Sequence, residues 1–122
     1  MTRRILVADN LELLLNAKRD WDVFGKGRVD FVGEAAKLRN YLPGLREGQY
    51  GLVIFDPVTL FEPHGGIDSK RPLIIKFLTE IHSSTNIIYT IDIGQEEKIA
   101  GFRGNQGIII KPYTVKPILD NF

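Results

Sequence analysis

Cysteine is absent from this chain of 122 residues, which excludes disulfide bonds and thiol chemistry. An excess of one charge is lacking too. Lys and Arg number 16 against 15 Asp and Glu, a formal net charge of +1, so bulk charge draws the chain neither to nucleic acid nor to an anionic membrane. No apolar run approaches the roughly 20 residues that span a bilayer. The first apolar segment, from Ile5, has the length of a strand and lacks the pattern of a signal peptide. Neither G-x-x-x-x-G-K-[ST] nor G-x-G-x-x-G occurs, which removes the common nucleotide-phosphate cradles. No repeat, low-complexity tract or interdomain linker divides the chain. The expectation is one cytoplasmic domain over 1–122, with 43% apolar residues to build its core.

What the chain does have is four short apolar runs, each ending on a polar side chain. They are Ile5-Leu6-Val7-Ala8-Asp9, Leu52-Val53-Ile54-Phe55-Asp56, Ile87-Ile88-Tyr89-Thr90 and Ile108-Ile109-Ile110-Lys111. Continuous apolar runs of this length read as strands buried on both faces of a parallel sheet. A fifth strand is expected over Val29–Val32, between Gly27 and Gly33, without a functional residue at its carboxyl end. Ligands of open α/β sheets sit beyond the carboxyl ends of the strands. Two carboxylates, a hydroxyl and an ammonium are therefore expected at one rim, which is equipment for handling a phosphoryl group.

Helical periodicity fills the intervals. Leu11, Leu14, Leu15 and Trp21 fall on one helical face, and Leu38, Tyr41 and Leu42 on another, with Pro43-Gly44 expected to stop that second helix. A long loop is expected from Pro57 to Arg71, followed by a helix with Pro72 in its first turn and Ile74, Phe77, Leu78 and Ile81 inward. Gln95 to Phe102 reads as a short, weak helix. Thr114 can cap a last helix whose inner face is Val115, Ile118, Leu119 and Phe122. Alternating strands and helices imply right-handed crossovers and a sheet covered on both faces, with the second and fifth strands at its edges.

In this order the four polar residues resemble the receiver domains of response regulators in two-component signalling, over essentially the whole chain. The resemblance implies a flavodoxin-like (βα)5 fold, α/β and doubly wound, with strand order 2-1-3-4-5. That order comes with the family and is not yielded by the spacing. The resemblance also implies that Asp56 is the phosphoacceptor and that Thr90 and Lys111 bind phosphoryl oxygens. Mg²⁺ would be held by Asp9, Asn10, Asp56 and the backbone carbonyl of Val58. Its expected partners are a sensor histidine kinase or phosphotransfer protein upstream, and a downstream target or homodimer through the strand 4/strand 5 face. Nucleic acid and membrane are not expected partners, and no enzymatic activity is expected beyond the domain's own phosphorylation and dephosphorylation.

Three positions depart from the family pattern. Asn10 replaces a metal-ligating carboxylate, which should weaken Mg²⁺. Ile91 stands at the access position, where a small residue usually leaves the acceptor open. Ile108 stands at the switch position, where an aromatic usually moves on modification. These departures support an alternative, a pseudo-receiver serving as a phosphorylation-independent interaction module. A phosphatase of the haloacid dehalogenase type fits poorly, because Val58 stands where that class needs a general acid. His64 and Asp92 read as solvated loop residues.

Overall fold

The computed structural model describes residues 3–104 and 107–120. Five parallel strands, β1 (Arg4–Ala8), β2 (Val29–Val32), β3 (Tyr50–Phe55), β4 (Asn86–Ile91) and β5 (Ile108–Ile110), form one sheet in the order β2-β1-β3-β4-β5. This is the flavodoxin-like α/β arrangement. Both strands adjacent in sequence to the central β1–β3 step lie outward of it, so the chain reverses direction between β1 and β3. That reversal opens a crevice at the carboxyl ends of the strands.

Side chains alternate across the sheet, and each set has its own cover. Ile5, Val7, Leu52 and Ile54 pack with Leu14 and Trp21 of α1 (Leu11–Gly25) and with Val115 and Ile118 of α5 (Val115–Asp120). Leu6, Ala8, Val53, Phe55 and Tyr89 face the other way. Their cover comes from Leu45 of α2 (Leu42–Arg46), Leu60 of α3 (Pro57–Phe61) and Ile74, Phe77 and Leu78 of α4 (Ile67–Glu80). Each such fully buried aliphatic or aromatic side chain contributes about 1.5–3 kcal/mol of transfer free energy, which explains why the uninterrupted apolar runs become central strands. Among the described residues, no helix is long and apolar enough to cross a membrane.

Several local expectations are corrected. Leu11 and Leu15 are exposed; α1 meets the sheet through Leu14 and, two turns on, Trp21. Pro43-Gly44 does not stop a helix. A 3₁₀ segment, Ala35–Tyr41, runs into α2, and Pro43 lies in the first turn of α2, where its missing N–H has no helical partner to lose. The expected loop from 57 to 71 is largely helical: α3, a 3₁₀ turn Glu62–His64, and the first turn of α4 occupy it. Pro72 therefore lies inside α4 and not in its first turn. The weak helix expected over 95–102 is a 3₁₀ turn, Glu96–Ile99. Val115, Ile118 and Leu119 of α5 face inward as expected, while Phe122 lies outside the described residues.

Two arginines tie the loops to α4. The Arg103 guanidinium donates to the carbonyls of Leu78 (3.1 Å), Ile81 and His82 (2.7 Å), caring for the carbonyls left free at the C-terminal end of α4. The Tyr89 hydroxyl in turn donates to the Arg103 carbonyl. Arg71 donates to the carbonyls of Lys98 (2.5 Å) and Ala100 (3.2 Å) and lies 4.9 Å from the centre of the Phe102 ring.

Candidate functional site

Backbone hydrogen bonds continue the sheet by one residue past several strand ends. Asp9 N donates to Val32 O (3.1 Å), Asp56 N to Ala8 O (2.9 Å) and Lys111 N to Ile91 O (2.8 Å). Those three bonds fix the Cα positions of Asp9, Asp56 and Lys111 along one rim. Thr90 belongs to the same row, one residue beyond the Phe55–Tyr89 pair that joins β3 to β4.

The side chains complete the convergence. Lys111 Nζ lies 2.8 Å from Asp9 Oδ2 and 2.5 Å from Asp56 Oδ2. Both contacts are ion pairs by distance, although the ammonium meets neither oxygen along a hydrogen-bonding direction. The peptide bond between Lys111 and Pro112 is cis. Asp56 has no exposed surface, Asp9 is 5% exposed and Thr90 1%. Two carboxylates and one ammonium leave the cluster with one negative charge in excess.

Burial pushes the Asp56 carboxyl above its ordinary range, and the neighbouring Asp9 charge pushes it further; Lys111 and the Thr59 N–H only partly offset this. For Lys111, burial works to lower the value, but the two bridged carboxylates outweigh it and the ammonium is held above its ordinary range. Both effects come from low local dielectric, which strengthens the pairing and penalises any charge left over.

The opposite oxygens of the two carboxylates are engaged by α3 and the start of α1. Asp56 is the N-cap of α3: its Oδ1 accepts from Thr59 N at 3.1 Å, with Pro57 in the first helical turn. The Thr59 hydroxyl donates to Asp9 Oδ1 at 2.7 Å, and the Asn10 N–H donates to that same oxygen at 2.6 Å. Thr59 was not among the residues singled out from the sequence. The signal was present in Asp56-Pro57-Val58-Thr59, a capping aspartate with proline at the first position, which starts a helix where a turn was expected.

The other expected residues fall as follows. Asn10 is the N-cap of α1, its side chain accepting from Glu12 N at 3.0 Å. Val58 lies in the first turn of α3, partly buried against the core. Ile91, expected at the access position, is wholly buried in the α3–α4 face of the core. Ile108 begins β5, paired with Tyr89 and partly exposed. Thr90 Oγ1 is buried and has no hydrogen-bond partner among the described residues. His64 and Asp92 are exposed. Tyr113, two residues past Lys111, turns an edge toward Trp21 with ring centres 6.3 Å apart.

Among the described residues no three His, Asp or Glu side chains gather as a metal cluster. The oxygen donors that remain once Asn10 is assigned to its cap are the carboxylates of Asp9 and Asp56. Mg²⁺ is commonly held by one or two carboxylates while keeping several waters, so this hard, anionic pair fits it without Asn10.

No family model matches the chain, and no curated protein matches it. A functional reading must stand on the geometry of this rim.

Proposed function

We propose that the chain is a receiver-type signalling domain that accepts a phosphoryl group on Asp56. The observation that carries this reading is the Lys111 ammonium bridging Asp9 and Asp56 at 2.8 and 2.5 Å, in the same row as a buried, unpartnered Thr90 hydroxyl. A structural ion pair needs one carboxylate. Here a second carboxylate and a hydroxyl with no bond are kept at the strand ends, a buried arrangement that costs stability and so points to a use in chemistry.

In this reading an Asp56 oxygen attacks the phosphorus of a donor, forming a P–O bond. The bond from phosphorus to the leaving group breaks, and the leaving group takes its electron pair. Lys111 stays protonated and supplies positive charge to the phosphoryl oxygens, and Thr90 donates its hydroxyl proton to one of them as a hydrogen bond. Asp9 and Asp56 would hold Mg²⁺, which supplies further charge neutralisation on the transferred group. The upstream partner in this reading is a sensor histidine kinase or phosphotransfer protein. A downstream target, or a second copy, would meet the β4–β5 side, where Ile93, Ile108 and Ile110 are exposed.

The second reading is a pseudo-receiver, an interaction module indifferent to phosphate. It draws on the complete burial of Asp56 and on the commitment of Asn10 to its helix cap. The two separate cleanly. Incubation with Mg²⁺ and a small acyl-phosphate donor is expected to add the mass of one phosphate, labile to base and absent in Asp56→Asn. No gain in the wild-type chain, under conditions that modify an active receiver domain, would leave the interaction module standing instead.

A further inference from the structure

Thr59, like Lys111, touches both carboxylates of the site. Its backbone N–H holds Asp56 Oδ1 at 3.1 Å and its hydroxyl holds Asp9 Oδ1 at 2.7 Å. A carboxylate oxygen offers about two lone-pair positions. On Asp9 Oδ1 one is taken by the Asn10 N–H at 2.6 Å and the other by the Thr59 hydroxyl. The remaining oxygens, Asp9 Oδ2 and Asp56 Oδ2, lie against Lys111. Each of the four carboxylate oxygens is therefore engaged before any cation arrives.

We infer that Thr59 is a positioning residue that closes this pair of carboxylates against a divalent cation, by occupying the lone pair of Asp9 Oδ1 that a cation would take. The inference rests on the reading of Asp9 and Asp56 as the cation-holding pair. Lys111 also opposes a cation, but through its charge. Thr59 acts without charge, through one proton placed on one oxygen, and that makes its share separable. Charge-assisted hydrogen bonds of this length in a desolvated site are strong, so a cation must displace the hydroxyl before it can ligate Asp9 fully.

The hydroxyl can be removed with little change of shape. Thr59→Val keeps the β-branched outline and the backbone N–H that caps α3; Thr59→Ser keeps the hydroxyl and loses only a methyl group. Mn²⁺ serves as the probe, its binding followed by loss of free-ion electron paramagnetic resonance signal and by paramagnetic broadening of amide resonances around residues 9 and 56. Thr59→Val is expected to bind Mn²⁺ about tenfold more tightly than wild type, with Thr59→Ser close to wild type. Should Thr59→Val not fold, Thr59→Ala reads the same lone pair.

Unchanged or weaker Mn²⁺ binding in the hydroxyl-less variant overturns the inference, as does a failure of all variants to bind Mn²⁺. A purely structural role for Thr59 would lower thermal stability and metal affinity together. The phosphorylation reading is judged on separate data, the mass gain at Asp56. A chain that gains no phosphate yet shows the Mn²⁺ difference keeps this inference and loses that reading.

Discussion

Asp56 is a carboxylate with no exposed surface, and burial keeps its proton on more firmly in the folded chain than in the unfolded one. Ionising it therefore costs stability. That cost is absent below the ordinary value of 3.8 and grows as pH rises from there toward the raised folded value, so it is present at neutral pH. Asp56→Asn is expected to raise Tm by a few degrees at pH 7. The gain should vanish as the pH of the melt falls below 3.8, where the wild-type carboxyl is protonated in both states. A melt series showing an equal gain at all pH values would mean that packing, and not charge, sets the difference. Lys111 has the opposite consequence: its raised value keeps the bridge intact throughout this range, its contribution being lost only as pH rises through a folded value above 10.5.

At the scale of elements, α4 combines a handicap with a repair. Pro72 removes one internal N–H from the helix, and the helix continues through it because Ile74, Phe77 and Leu78 bury one face against the sheet. The repair lies at the far end, where Arg103 donates to the carbonyls of Leu78, Ile81 and His82. Arg103→Met keeps an unbranched apolar stem, removes the guanidinium and leaves those carbonyls to water or to no partner. It is expected to cost about 2–3 kcal/mol in a urea melt, at the scale of hydrogen bonds to a charged donor, and not to alter Mn²⁺ binding at the opposite rim. Loss of less than about 0.5 kcal/mol would show that water replaces the guanidinium without penalty.

The same scale shows what could be read from the residues alone. Five strands and their ends were legible because two-sided burial demands apolar runs, and the polar residue closing a run marks the rim where Asp9, Asp56, Thr90 and Lys111 stand. The segment after Asp56 was not. Asp and Pro open turns and helices alike, and only the bond from Thr59 N to Asp56 Oδ1 decides for a helix. Leu11 and Leu15 misled for a different reason: periodicity names the apolar stripe, but only Leu14 and Trp21 of that stripe are buried against the sheet. Asn10 was read from the sequence only as a metal position; the bond its amide oxygen accepts from Glu12 N makes it the cap of α1.

For the molecule as a whole, the balance of charge matters less than where apolar surface remains. Ile93 is 81% exposed and lies in the loop after β4, next to an edge strand made of three isoleucines. Edge strands and exposed apolar residues of this kind invite association. Replacing Ile93 by lysine should leave Tm nearly unchanged, because its side chain already faces water. If the proposed partner surface is right, the same substitution abolishes any dimer that forms on phosphorylation, as read by sedimentation velocity. A phosphorylated dimer that survives it would place the contact elsewhere on the chain.

Trp21 is the one tryptophan of the sequence, fully buried and set edge-on to Tyr113 just past Lys111. The domain thus carries a built-in optical reporter: selective excitation of a single indole will register any rearrangement of the turn that holds the ammonium. No dye or label is needed to watch the rim open, and the emission can be followed on the timescale of mixing.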